Sequence, residues 1–183
     1  MKKVLVFLAD GFEEAEAICP MDMLKRAGVD VVTAGVDELE VKSSHGITIK
    51  ADITASEVNV DDFDAIFCPG GMPGSVNLAQ CWNVNEALIK LYNNGGIISA
   101  ICAAPAVVLA PLGLLEGKEA TCYPGCESYA PAISFKSEGV VVDGRIITAK
   151  SAGFAFDLGY ELVKALLDEN AAKKVRQSIY YKV

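Results

Sequence analysis

Residues 4 to 8, Val-Leu-Val-Phe-Leu, are five consecutive apolar positions. So short a continuous run predicts a β-strand covered on both faces. Apolar residues then return at helical spacing, at Ala15, Ile18, Met21 and Leu24, until Gly28 closes the helix. Val29 to Val36 predicts a second strand. Two further strand-to-helix alternations follow: Asp64 to Gly71 before a helix from about Val76 to Tyr92, and Gly96 to Cys102 before a helix from Pro105 to Leu115. Repeated units of this kind predict a mostly parallel sheet with helices on both faces. Between about Glu40 and Ala51 the pattern alternates, which predicts a short antiparallel insertion, and Asp143-Gly144 between two β-rich runs predicts a hairpin. Ala155 to Leu167 is helical in spacing, with Asn170 expected to cap a last helix that ends near Tyr180. With no linker, repeat or low-complexity segment, residues 1–183 read as one domain.

Composition narrows the function classes. Hydrophobic residues make up 52% of the chain and charged residues 22%, so a folded core is expected, and no run approaches the ~20 apolar residues of a membrane span. The opening MKKVLVFLADGFEEAE begins like a signal peptide. Asp10, Glu13, Glu14 and Glu16 stand where a small-residue cleavage site belongs, however, and an untargeted cytoplasmic protein is expected. A formal charge of −8 argues against a nucleic-acid partner. Six cysteines spread through a chain of this size read as reduced thiols. Cys122-Tyr-Pro-Gly-Cys126 and a single histidine, His45, fall short of a zinc pattern, so no metal is expected.

In an open α/β sheet, ligands bind outside the carboxyl ends of the strands. Three segments bring unusual residues there: Asp10 to Glu16, Cys68 to Gly74, and Cys102. Glu13 and Glu14 suit a helix start, where a carboxylate is favoured by about 0.3 to 1 kcal/mol. Glu16 lies three residues beyond Glu13 on a helix whose core stripe is otherwise apolar, which makes it a candidate functional acid. Pro69-Gly70-Gly71 fits a tight turn, a phosphate cradle, or an amide donor for an anionic oxygen; the full phosphate-loop patterns are missing. Cys102 sits where a strand passes into a helix, the place at which a strand-turn-helix elbow presents a nucleophile. The helix end is expected to lower the thiol pKa from its usual ~8.5, and Ala103 and Ala104 keep the site uncrowded. The plainer alternative, a buried small hydrophobe, suits Cys19, Cys68, Cys81 and Cys122. No histidine follows Cys102, so activation is expected from the helix and from hydrogen bonds.

Gly11-Phe-Glu-Glu-Ala-Glu16, CPGGMPG and AICAAP in this order, with Asp22 to Gly28 and GVVVDGRIITAKSAGFAFDLG, resemble the ThiJ/PfpI superfamily, in its branch of Parkinsonism-associated deglycase proteins. The likeness runs nearly end to end. It implies a flavodoxin-like three-layer α/β/α sandwich, a homodimer, and a reactive cysteine matching Cys102. It also implies a protonated glutamate matching Glu16, and oxyanion donors matching the amides of Gly71 and Ala103, with Gly70 in the same binding turn. A neutral carboxylic acid can donate to a sulfur that a carboxylate would repel. Ala103 and Tyr123 stand where many relatives carry a histidine. The first departure argues against the protease-like branch, and the second leaves Tyr123 as a weaker hydrogen-bond partner. His45 stands where close relatives often carry an arginine. The function implied is cofactor-independent handling of small aldehydes such as methylglyoxal, or of glycated substrates. The alternative is an oxidative-stress sensor or chaperone that uses the same thiol.

Overall fold

The computed structural model describes residues 1–181. Its strands are β1 (Lys3–Leu8), β2 (Asp30–Gly35), β3 (Glu40–Lys42), β4 (Thr48–Lys50), β5 (Ile53–Thr54), β6 (Ala65–Cys68), β7 (Ile97–Ile101), β8 (Val140–Asp143) and β9 (Ile146–Ala149). The helices are α1 (Glu14–Arg26), α2 (Gly74–Gln80), α3 (Trp82–Asn93), α4 (Ala155–Leu166) and α5 (Glu169–Ser178). Seven strands form one sheet in the order β5-β2-β1-β6-β7-β9-β8, parallel except for the β8–β9 hairpin. The strands β3 and β4 pair separately and antiparallel, as the alternation between residues 40 and 51 predicts.

Each strand of the sheet's centre sends alternate side chains to opposite layers. Val4, Val6 and Leu8 of β1 join Phe67 and Ile147 beneath α1, α4 and α5. Leu5 and Phe7 face the other way, with Ile66 and Ile98, toward α2, α3 and the segment after Cys102. All five β1 residues from Val4 to Leu8 are fully buried, and burying side chains of this size contributes about 1.5 to 3 kcal/mol each. The three-layer α/β/α sandwich expected from the sequence is therefore the fold observed.

Chain order reverses beside β1, whose neighbours are β2 on one side and β6 on the other. At such a switch point the loops leaving the two strands diverge and open a crevice. The β1–α1 and β6–α2 loops leave at this place, and Cys102 follows the adjacent β7.

Four local expectations are corrected. The helix expected from Val76 to Tyr92 is two helices, because Cys81 is extended (φ −81°, ψ 116°) and serves as the C-cap of α2 and the N-cap of α3. The cap of α5 is Asp168, whose carboxylate accepts from the Ala171 amide at 2.8 Å, rather than Asn170. The buried stripe of α1 is Glu16, Ala17, Pro20, Met23 and Leu24; of the predicted stripe Leu24 is buried, while Ala15 and Met21 are half-buried and Ile18 is 42% exposed, so the buried face is rotated from the predicted one. The helix expected from Pro105 to Leu115 is a five-residue π-helical segment, Pro105–Leu109, followed by a 3-10 turn, Ala110–Leu112, that Gly113 ends at φ 73°.

The close crossing of α1 and α4 depends on Gly159. A Cβ there would lie 2.7 Å from Met23 Sδ and 3.1 Å from Met23 Cβ. Gly159→Val therefore overpacks the crossing and should destabilise the fold by about 1–3 kcal/mol, read as a lower urea midpoint with an unchanged slope.

Candidate functional site

Cys102 has φ 65°, a left-handed backbone conformation that costs a β-carbon-bearing residue of order 1–3 kcal/mol. Hydrogen bonds on both sides hold it there. Its amide donates to the Ala149 carbonyl at 2.9 Å, and its carbonyl accepts from the Tyr123 amide at 2.8 Å. The elbow lifts the side chain above the end of β7, where it is partly exposed, and the Gly71 and Ala103 amides lie near enough to its sulfur to favour negative charge there.

Glu16 reaches the same point from α1. Glu13 caps that helix, its Oε2 accepting from the Glu16 amide at 2.7 Å. Glu16 is 2% exposed, and its carboxyl lies beside Cys102 and near the Gly70 and Ala152 amides, which favour its charged form. Its buried Oε2 has no hydrogen-bond partner. A Cβ at Gly70 would fall 2.5 Å from Cys102 Cβ and against Glu16 Oε2, so only glycine leaves room for the pair. Gly71 has φ 94°, and a Cβ there would lie 2.5 Å from the Glu13 amide nitrogen and the Gly11 carbonyl oxygen.

Burial is the first cause of the altered acidity of both groups. It raises Glu16 to about 7, opposed by the Cys102 hydrogen bond and reinforced by the charge of Glu13. It pushes Cys102 up to about 12, with the charge and hydrogen bond of Glu16 as the next two causes and the Gly71 and Ala103 amides opposing. This corrects the expectation that the helix end and hydrogen bonds lower the thiol pKa. Only a short, irregular helical segment follows Cys102, and two amides do not outweigh desolvation plus a facing carboxylate. Against a neutral Glu16, both upward contributions from the carboxylate disappear.

The structure thus brings Cys102, Glu16, Gly70, Gly71 and Ala103 together. Tyr123 arrives as well, but through its backbone; its side chain is 48% exposed. The amide of Ala152 is a partner of Glu16 that sequence reasoning did not single out, since a backbone donor leaves no trace in residue type. His45 does not join this group: its Nδ1 lies 2.9 Å from Glu14 Oε2 on the β3–β4 turn. Burial acts upward on Glu14, but hydrogen bonds from His45, its own amide and Ser43 outweigh it and hold the carboxyl below its ordinary value. Of the four cysteines read as buried, Cys68 and Cys122 are buried, whereas Cys19 and Cys81 are partly exposed.

Comparison with known proteins agrees with this architecture. The model of the DJ-1/PfpI family matches residues 2–165. The chain is 38% identical over 176 residues to protein DJ-1 homolog B of Arabidopsis thaliana, covering 95% of this chain and 40% of that one, so it spans less than half of the plant protein. It is 32% identical over 167 residues to a protein of Pyrococcus abyssi named as a deglycase, covering 90% of this chain and 99% of the other. The solved structure of oxidised Toxoplasma gondii DJ-1 superposes with a TM-score of 0.96 at 36% identity, covering 100% of both chains.

The raised Glu16 fixes a sign for stability. The folded state holds a proton that the unfolded chain loses near 4.5, so stability falls as pH rises from 4.5 to about 7. Glu16→Gln removes this loss and should be more stable than wild type at pH 8 by about 3 kcal/mol, with the gap closing toward pH 4.5. Urea midpoints measured at several pH values check it.

Proposed function

The chain belongs to the DJ-1/PfpI family, and from that premise we propose that it is a cofactor-independent enzyme acting on reactive carbonyls through Cys102. The observation that carries this reading is the convergence, in one desolvated corner, of a strained and partly exposed thiol, a buried carboxyl and two amides on the sulfur. In the reactive state the pair holds a single proton. Placed on Glu16 Oε2, that proton gives the orphan buried oxygen a role as donor to sulfur and leaves the negative charge where the Gly71 and Ala103 amides lie.

The Cys102 thiolate adds to the aldehyde carbon, and the carbonyl electron pair moves to oxygen. The Gly71 and Ala103 amides stabilise the developing oxyanion, and Glu16 supplies its proton. The Glu16 carboxylate then removes the proton on the former aldehyde carbon while the hydroxyl proton passes to the neighbouring carbonyl oxygen, and the proton held by Glu16 returns to that carbonyl carbon, which converts the hemithioacetal into a thioester. Water cleaves the thioester, releasing a hydroxy acid and the free thiol. The net reaction is hydration, so no redox partner is required. A relative named as a deglycase supports the class of chemistry.

The same corner favours a second reading, oxidation sensing or redox-regulated chaperone action. A partly exposed thiol beside a carboxyl whose Oε2 has no partner offers a hydrogen bond to an oxidised sulfur, and oxidised Toxoplasma gondii DJ-1 is a structural neighbour. We also place the protein in the cytoplasm as a homodimer. Support for the dimer comes from Ile18, 42% exposed on α1, and Ile47, 51% exposed on the β3–β4 turn, two elements joined through Glu14 and His45. Among the described residues, no helix is long and apolar enough to cross a membrane.

Wild type should form lactate from methylglyoxal over many equivalents per chain, and Cys102→Ser should fall to the uncatalysed rate. Glu16→Gln should keep the fold and lose about 10²–10⁴-fold in rate because the proton carrier is gone, while its iodoacetamide reaction at neutral pH should be as fast as wild type or faster, since the carboxylate charge that raises the thiol is removed. Stoichiometric peroxide modification of Cys102 without carbonyl turnover would establish the sensor reading instead.

A further inference from the structure

We propose that Met72 and Tyr123 form the rim of the Cys102 site and select what reaches the thiol: uncharged vicinal oxoaldehydes with an aromatic or otherwise apolar substituent, in preference to anionic ones. The selection presupposes the carbonyl chemistry proposed above and narrows it. Three segments bring a backbone group to the pair of Cys102 and Glu16. The Gly71 amide lies near the sulfur, the Tyr123 amide donates to the Cys102 carbonyl at 2.8 Å, and the Ala152 amide lies near Glu16. At each contact the chain presents exposed, uncharged residues: Met72-Pro73, Tyr123-Pro124 and Ala152-Gly153. Met72 and Tyr123 are 44% and 48% exposed. Both stand before a Pro-Gly pair, in Met72-Pro73-Gly74 and Tyr123-Pro124-Gly125. Proline narrows the backbone freedom of the residue before it, so each of these side chains is offered from a restrained position.

The inner side of the site is taken up by the sulfur, the Gly71 and Ala103 amides and Glu16. Whatever an oxoaldehyde carries beyond its two carbonyl carbons therefore points outward, against this rim. A thioether adapts to irregular apolar surface and favours contact with an aromatic ring, and a tyrosine ring offers a stacking face with few rotatable bonds to fix. Charge selects in the same direction. The charged groups that act most strongly on Cys102 and Glu16 are acids, Glu16 on the first and Glu13 on the second. Glu127, whose carboxylate accepts from the Gly125 amide at 2.6 Å, adds a third acid to the Tyr123 segment. Lys150, the basic residue beside the Ala152 segment, turns its ammonium to the Ser137 carbonyl. A carboxylate or phosphate on the substrate meets like charge here, and a neutral ring does not.

The test has two arms, both on the full chain. In the first, Cys102 is alkylated with phenacyl bromide and with its para-carboxylate, each rate being read by peptide mass mapping and divided by the rate with N-acetylcysteine. The uncharged reagent should be favoured by about tenfold. In the second, kcat/KM is measured for phenylglyoxal, para-carboxyphenylglyoxal and methylglyoxal, and phenylglyoxal should exceed each of the others by about fivefold or more. Met72→Ala and Tyr123→Ala should each lower the ratio of phenylglyoxal to methylglyoxal by about threefold, through KM for phenylglyoxal, whereas Tyr123→Phe keeps the ratio. Met72→Lys should relieve the discrimination against the carboxylate in both arms, a gain that misfolding cannot imitate. The proposal is overturned if the variants leave both ratios unchanged, or if wild type turns over all three oxoaldehydes without preference, a result that leaves the carbonyl chemistry itself standing. Charge-selective alkylation that responds to Met72→Lys, with no turnover of any oxoaldehyde, supports the rim and removes the enzymatic reading.

Discussion

The site depends on two backbone loops approaching more closely than side chains allow. Gly11, Gly70, Gly71 and Gly74 form the seam between the β1–α1 and β6–α2 loops. A Cβ at Gly74 would lie 2.6 Å from the Phe12 amide nitrogen, and one at Gly11 would lie 2.5 Å from Pro73 Cδ. The Glu13 amide donates across the seam to the Gly70 carbonyl at 3.0 Å. This contact fixes where α1 starts, and with it the direction in which Glu16 points. A larger residue anywhere on the seam would move α1 away from β7 and separate the acid from the thiol. The arrangement follows from the sheet order, because these loops leave neighbouring strands at the place where chain order reverses.

Close approach also excludes water, and that gives the pair its chemistry. In bulk water a carboxyl and a thiol titrate independently, several units apart. Side by side and desolvated, both are driven toward their neutral forms, and a second negative charge becomes much more costly than the first. Near neutrality the pair therefore loses the first of its two protons while the second stays bound. Which atom carries the remaining charge then depends on the fixed donors. The Gly71 and Ala103 amides favour sulfur, the Gly70 and Ala152 amides favour the carboxyl, and the competition between them is what Glu16→Gln removes.

The parallel core was legible because continuous apolar runs and glycine-ended helices are local signals, and Val4 to Leu8 or Asp143-Gly144 carry them without tertiary help. The split at Cys81 was not legible, since an extended cap within two adjoining helices leaves the apolar spacing nearly continuous. The stripe of α1 was misread because its buried face includes an acid and a proline, Glu16 and Pro20, residues that a hydrophobicity pattern counts as outward. That misreading is informative: it occurs where a buried polar group breaks local consistency, as functional sites do. Cys102 and Glu16 could be picked out by type and position, but the amides of Tyr123 and Ala152 could not. The contact of His45 with Glu14 was hidden for another reason, the two residues being some thirty positions apart and brought together by a β3–β4 turn folded onto α1.

Backbone strain at Cys102 is the remaining feature that sets this corner apart. Glycine would adopt φ 65° without cost, and nine glycines among the described residues have positive φ, so nothing in the turn itself calls for a cysteine. The conformation persists because β9 and the residue-123 segment hold both of its peptide groups, through the Ala149 carbonyl and the Tyr123 amide. Those bonds make the elbow a rigid continuation of the sheet. A flexible turn would let the thiol rotate away from Glu16 and rejoin the apolar layer, where Cys68 already sits fully buried and pushed up to about 12 by burial alone. The two thiols differ because the elbow keeps Cys102 within reach of solvent, of an acid and of two amides at once. Its chemistry is therefore a property of backbone geometry before it is a property of sulfur.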